Sequence, residues 1–334
     1  MAVRSLRNIV NVAIVFSFCV VLLGAYTRLT HAGLGCPDWP GCYGKLILPQ
    51  AKHALVSAQN QYPDTVLEVR KAWTEMVHRY AAGTLVLLLL VITFQTFRHR
   101  KTFPTGWKLS LGLFCLIGFQ AVLGMWTVTW KLLPLVVMGH LLGGLCIFSG
   151  LCRLRLALSR QQPTMYLPQF KPWLCLAVFI VFVQVALGGW VSANYAGLGC
   201  LGFPQCNGQW LPALNLSEGF NLFSPIGQSY QGGLLDHPGR MTIHFLHRVG
   251  AVITALYLLT LCTLMLCYIR EKKIRFFAQL TIVFVIIQFS LGIMNVVYFL
   301  PLSVAVLHNG MAALLLATVF MMQSLVKCKH LDAG

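Results

Sequence analysis

Five histidines, His78, His140, His244, His247 and His308, lie within or at the edge of apolar stretches, where an imidazole is costly without a partner. His78 and His140 lie in the first half of the chain. His247 and His308 follow in the second half, at offsets of 169 and 168. One such histidine alone reads most simply as a hydrogen-bonded structural residue. Duplicated pairs near the same ends of their runs read differently. Two opposed neutral imidazoles in a low-dielectric bundle are best served by haem iron, ligated on both faces. Two histidines under-coordinate zinc. Copper stays open, although no Cys or Met stands at useful spacing beside the pairs. The expected iron ligands are therefore His78 with His140 and His247 with His308, with structural histidines as the alternative.

The repeat breaks one turn before the first ligand of each pair. The first half reads Glu75-Met76-Val77-His78, the second His244-Phe245-Leu246-His247. Residues three apart share a helix face. Glu75 is thus expected either to face the first site or to be solvated at a helix N-terminus, where the dipole favours it. In the first case one site has a proton-handling group and performs chemistry, while the other retains a permanent cofactor. Arg79 and Arg248 follow the ligands directly. Each could reach haem propionates bidentately or simply extend to water at the membrane surface.

These residues need elements to position them, and composition defines the solvent. The 334 residues are 57% hydrophobic and 10% charged, with a mean hydropathy of +0.74. A soluble fold could not cover its surface with so few charges, and disorder, coiled coil and collagen are excluded too. Apolar runs long enough to cross about 30 Å of hydrocarbon occur near 9–27, 74–96, 109–129, 133–152, 173–192, 242–268, 275–299 and 301–325. In lipid these must be helices. The first run lacks a small-residue cleavage site and is followed by Tyr26, Thr27 and Arg28, so it is expected to be a span rather than a signal peptide. Gly33–Cys42 reads GLGCPDWPGC and Gly197–Cys206 reads GLGCLGFPQC. Gln120, Leu123 and Gly124 recur as Gln288, Leu291 and Gly292. The fold class is therefore an all-α polytopic membrane protein with eight transmembrane helices as two pseudo-symmetric four-helix bundles. The expected division is 1–160 and 161–334. Gly124, Gly143, Gly144, Gly188 and Gly292 are expected to let helices approach closely.

The net charge of +17 would suggest nucleic acid in a soluble protein. Here it reports orientation. Sixteen basic residues, including Arg4, Arg7, Arg160 and Lys329, face only Glu271 and Asp332 on one side. The other side carries nine basic and six acidic residues on two long loops. The positive-inside rule makes the first side cytoplasmic, with both termini. Cys36, Cys42, Cys200 and Cys206 all fall in the external loops, where an oxidising compartment permits disulfides. The other eight cysteines, Cys328 among them, read as packing residues. No nucleic-acid partner is needed, and the lipid bilayer is the surrounding medium.

With its duplicated four-helix halves, external cysteine pairs, EMVHR at Glu75–Arg79 and three further helix histidines at repeat positions, the whole chain resembles the haem A synthase family. The second cysteine pair is similar to that of the bacterial branch with cysteines in both large loops. The resemblance implies a bacterial cytoplasmic (inner) membrane enzyme that oxidises the C8 methyl of haem O to the formyl group of haem A. Two hydroxylations would give a geminal diol that loses water. It implies that His78 and His140 bracket the substrate haem and that His247 and His308 ligate a resident haem b. Glu75 is then the essential carboxylate. Cys36–Cys42 becomes an external pair tied to activity and Cys200–Cys206 a second, structural disulfide. An electron donor or acceptor is required but not identified, haem O synthase is a partner by pathway only, and a homo-oligomer stays open. His244 and His31 lie outside the motif. The alternative from another class is a di-haem b membrane electron-transfer or quinol-oxidising protein.

Overall fold

The computed structural model describes residues 2–48, 51–63, 65–159 and 165–327. Arg160, Cys328, Lys329, Asp332 and the expected boundary at 160/161 lie outside them. Its elements run α1 (Ala2–Leu29), α2 (Lys52–Gln61), α3 (Val69–Arg98), α4 (Pro104–Thr129), α5 (Pro134–Ala157), β1 (Met165–Tyr166), α6 (Lys171–Ala193), α7 (Leu216–Gly219), α8 (His237–Tyr268), α9 (Lys272–Val297), α10 (Leu302–Leu325) and β2 (Val326–Lys327). Eight of these helices are long and apolar enough to cross a membrane. The chain is a multi-pass membrane protein of the all-α class.

Local chemistry sets the helix ends. Proline occupies the first turn of α4, α5, α6 and α8, where its missing N–H costs nothing and its fixed φ suits the helix. Helices α3 and α8 start at Val69 and His237, before the apolar runs expected from 74 and 242. The added turns are useful because loop residues pack on them. In the first half Ala72 and Met76 bury with Cys36, Cys42, Tyr43 and Leu48 in a small cluster.

The spans of each half form a ring. In the first, α1 packs on α3, α3 on α4, α4 on α5 and α5 on α1. In the second, α6, α8, α9 and α10 repeat that order. The rings meet through α5 against α10, with α1 on α10 matched by α6 on α5. That reciprocity defines a pseudo-twofold axis between the halves. The backbone obeys it closely. All the positive-φ non-glycine residues among the described residues pair at the repeat offsets: His31 with Tyr195, Tyr43 with Asn207, Lys131 with Phe299 and Leu132 with Leu300. The β1–β2 pair joins the strand preceding α6 to the one following α10.

Apolar packing is uneven along each bundle. One core joins Leu6, Val10 and Ala13 to Leu89, Ile92, Leu151 and Leu154. Its counterpart joins Leu174 and Ala177 to Leu261, Met265, Ile274 and Met322. Both lie away from the cysteine loops. Near its loop the second bundle opens into a cavity, and His247 and His308 line it.

Candidate haem-binding sites

Helices α3 and α5 carry His78 and His140, and α8 and α10 carry His247 and His308. His247 and His308 line one cavity of about 1030 Å³. His78 and His140 stand in the first ring, backed by Gly24 of α1 and Gly124 of α4. Each expected pair thus lies within one bundle.

Glycine makes room for every ring. A Cβ at Gly24 would lie 3.0 Å from the His78 ring, and one at Gly188 3.0 Å from the His247 ring. Gly124 and Gly292 back His140 and His308 at 3.4 and 3.3 Å. These contacts differ from the expected role. Gly124, Gly188 and Gly292 admit imidazoles rather than a neighbouring helix backbone. Gly143 faces the Gln120 side chain, and Gly144 meets nothing within 4 Å. Gly24 is not among the glycines expected to matter, although it is the repeat counterpart of Gly188 at offset 164.

The cysteine loops seat on α3 and α8 in the same way. Cys36–Cys42 and Cys200–Cys206 are disulfides, each closing a separation of 6 residues. Arg79 donates to the backbone carbonyls of Asp38 at 2.9 Å and of Gly41. Arg248 donates to the repeat-equivalent carbonyls, Gly202 at 2.9 Å and Gln205 at 3.2 Å. Both guanidiniums therefore hold loops over the bundle mouths, and Arg248 also lines the cavity.

Beneath the loops the repeat diverges. The Cys36 amide donates to Glu75 Oε2 at 2.9 Å, whereas the Cys200 amide donates to His244 Nδ1 at 3.2 Å. Both acceptors are buried, at 4% and 5% exposure, so Glu75 is not a solvated end-of-helix carboxylate. Its other oxygen pairs with Arg79. His244, unassigned from sequence, occupies the carboxylate's place in the second half.

A second divergence surrounds the ligands. The Gln184 amide lies 3.0 Å from His247 Nδ1 and donates to the His247 carbonyl at 3.0 Å. The repeat position in α1 is Val20, and His78 Nδ1 is buried with no hydrogen-bond partner. Gln288 approaches His308 Nε2 at 3.3 Å, while His308 Nδ1 has no partner.

The second-half cavity fits a haem. Its volume is in the range of cofactor pockets. His247 and His308 line it, His308 Nδ1 being buried without a partner, its walls are mainly Val, Leu, Ala and Phe, and Arg28, Arg240 and Arg248 are the charged residues lining it. Among the described residues no group of three or more His, Cys, Asp or Glu could hold a small metal ion. A paired-histidine site suits an iron that arrives with its own four equatorial ligands.

Known proteins share this plan. The model of a family described as cytochrome oxidase assembly protein matches residues 7–320. A haem A synthase of Shewanella oneidensis is 45% identical over 317 residues, covering 93% of each chain. Haem A synthases of Rhizorhabdus wittichii and Shouchella clausii are 27% and 26% identical, over 95% and 92% of this chain and 92% of each relative.

Proposed function

Since the chain belongs to the cytochrome oxidase assembly protein family, we propose that its halves divide one oxidation: the first presents the substrate and the second retains a haem b. The enzyme acts in haem A biosynthesis, oxidising the C8 methyl of haem O to the formyl group of haem A. The electron-relay alternative gives way to this reading because the relatives named haem A synthase match over nearly their whole length.

The observation that carries the division is the exchange of Glu75 for His244 under otherwise matching loops. In the first half, His78 and His140 bracket haem O. Glu75 stands on the same α3 face, three residues from His78, held by the Cys36 amide and Arg79. It takes and returns protons at its carboxylate oxygens as the methyl carbon is oxidised and the diol loses water. In the second half, His247 and His308 hold haem b, and Gln184 fixes the His247 ring. Haem b supplies electron transfer when bound. Arg79 and Arg248 keep the loops closed over the two mouths through the backbone carbonyls they hold.

Basic residues such as Arg98, Lys101, Arg153, Lys171 and Arg275 gather at the bundle end opposite the disulfides. That distribution supports placement in the bacterial inner membrane with cytoplasmic termini and external cysteine loops.

Haem extraction from membranes that contain this chain and a source of haem O tests the reading. Wild type yields haem A and haem b. Glu75→Ala keeps haem b and accumulates haem O. Normal haem A output from that variant removes Glu75 from the mechanism.

A further inference from the structure

Arg28 belongs to the first half, yet it lines the cavity of the second. It stands at the end of α1, where repeat-equivalent residues of the two halves touch. His31 stacks on Tyr195 with ring centroids 5.5 Å apart and planes within 8°. The Arg28 guanidinium lies 3.9 Å from the centroid of the same Tyr195 ring. Its Nη2 donates to the Ser192 carbonyl at 2.5 Å and the Ala193 carbonyl at 3.3 Å. Its Nε is buried without a partner.

The cavity is rich in positive charge and poor in negative. Arg28, Arg240 and Arg248 line it, and no Asp or Glu does. Arg240 donates to the carbonyls of Leu235 at 2.7 Å and Gly233 at 3.1 Å. Arg248 donates from Nη1 and Nη2 to loop carbonyls and lies 3.4 Å from His244 through Nε. Carbonyls satisfy hydrogen bonds but leave the charge uncompensated. In a low-dielectric site an uncompensated cation is costly. In the first half the cations at the matching positions of α3 are ion-paired. Among the described residues two ion pairs form, Lys71–Glu68 at 2.7 Å and Arg79–Glu75. Lys71 and Arg79 are the repeat counterparts of Arg240 and Arg248, and Ser192 is the counterpart of Arg28.

We infer that Arg28 reaches across the pseudo-twofold axis to grip an ionised carboxylate of the macrocycle held by His247 and His308. The assignment rests on the haem reading of that cavity. Of the three arginines, Arg28 is the one with a buried donor still unpaired, and a carboxylate would supply both the missing acceptor and the missing charge. Because the matching position is Ser192, the substrate half lacks this grip. The cofactor is retained where the arginine stands, and the substrate can leave where it does not.

Full-length protein made without haem, in a His78→Ala background, can be titrated with protohaem and with protohaem dimethyl ester and followed by absorbance. The ester keeps the ring and iron but has no ionised carboxylate. The expected result is a free-acid preference of about 10- to 100-fold, the range for a charge-assisted hydrogen bond. Arg28→Gln should lower the affinity for the free acid and leave the affinity for the ester nearly unchanged, closing most of the gap. An unchanged acid-to-ester ratio in Arg28→Gln overturns the assignment. If Arg28→Gln fails to fold because it no longer caps α6, Arg28→Lys gives the decision: a reduced ratio supports the grip and a wild-type ratio overturns it. If protohaem gives no bis-histidine spectrum in the His78→Ala protein, the cofactor reading of the cavity itself fails, and the role of Arg28 fails with it.

Discussion

At the mouth of the first bundle, Lys71 meets Glu68 and Arg79 meets Glu75. At the mouth of the second, the matching Arg240 and Arg248 donate to backbone carbonyls and face no acid. The loops above are built alike. Each arginine reaches the carbonyls of matched loop positions, and each first-loop cysteine amide finds a buried acceptor one turn from a histidine. What differs is charge rather than shape. A binding site that must release its product gains from being neutral toward an anionic ring. One that must keep its ring gains from an excess of cations. On the proposed division of roles, one scaffold serves both needs through a few side chains.

Several substitutions break or sharpen this contrast. The largest effect is expected from Glu75→Ala, which should cut haem A formation by about 10²- to 10⁴-fold, the range for a lost general acid–base, with resident haem intact. Extracted haems separated by chromatography report both quantities. His247→Ala should abolish the resident low-spin spectrum, whereas His78→Ala should keep that spectrum and reduce haem A output. An unchanged spectrum in His247→Ala would move the cofactor elsewhere. Serine at Cys200 should cost roughly 2 kcal/mol of stability, as for a short disulfide loop, read from thermal unfolding in detergent, with haem A output preserved. Cys36→Ser should in addition reduce output, because losing the disulfide frees the loop that presents the residue 36 amide to Glu75. Equal effects on output would erase this distinction between the loops.

Smaller changes probe finer differences. His244→Glu gives the second half the carboxylate of the first. Neutralising Arg248 in this way should weaken resident haem by about tenfold or more, since a unit charge about 10 Å away at an effective dielectric constant of about 20 is worth roughly 1.7 kcal/mol. Tighter binding would contradict the electrostatic account. Gly188→Ala places a Cβ 3.0 Å from the His247 ring and should shift the haem absorbance at a stability cost of about 1 kcal/mol. Gly144→Ala, with nothing within 4 Å, should leave the spectrum where it is.

Much of the architecture is legible in the sequence because lipid imposes a strong pattern. Eight apolar runs become eight spanning helices, since backbone groups in hydrocarbon have no other partners. The matched histidines stand out because they are polar residues recurring at nearly constant offsets in apolar surroundings. The helix starts at Val69 and His237 were not visible in hydropathy, because tertiary packing under the loops stabilises those turns. Gln184 is hidden for another reason, while Gly24 is legible only as the repeat counterpart of Gly188. The role of Gln184 depends on which helix faces which ring, and no single-helix pattern records that. Arg28 gave a signal, a cation ending an apolar run, but its contacts lie 164 and 165 positions away. Only the folded seam between the bundles brings them together. His244 was visible as the counterpart of Glu75, yet its role needed the matching amide contact from Cys200.

The stacked His31 and Tyr195 mark where a true dyad would run if the two bundles were separate copies of one polypeptide. Identical subunits must carry the same residue on both sides of such a dyad. Covalent fusion lifts that constraint, so position 28 can be arginine while position 192 is serine. A homodimer of four-helix chains could grip two rings or none. The tandem chain can grip one and let the other go.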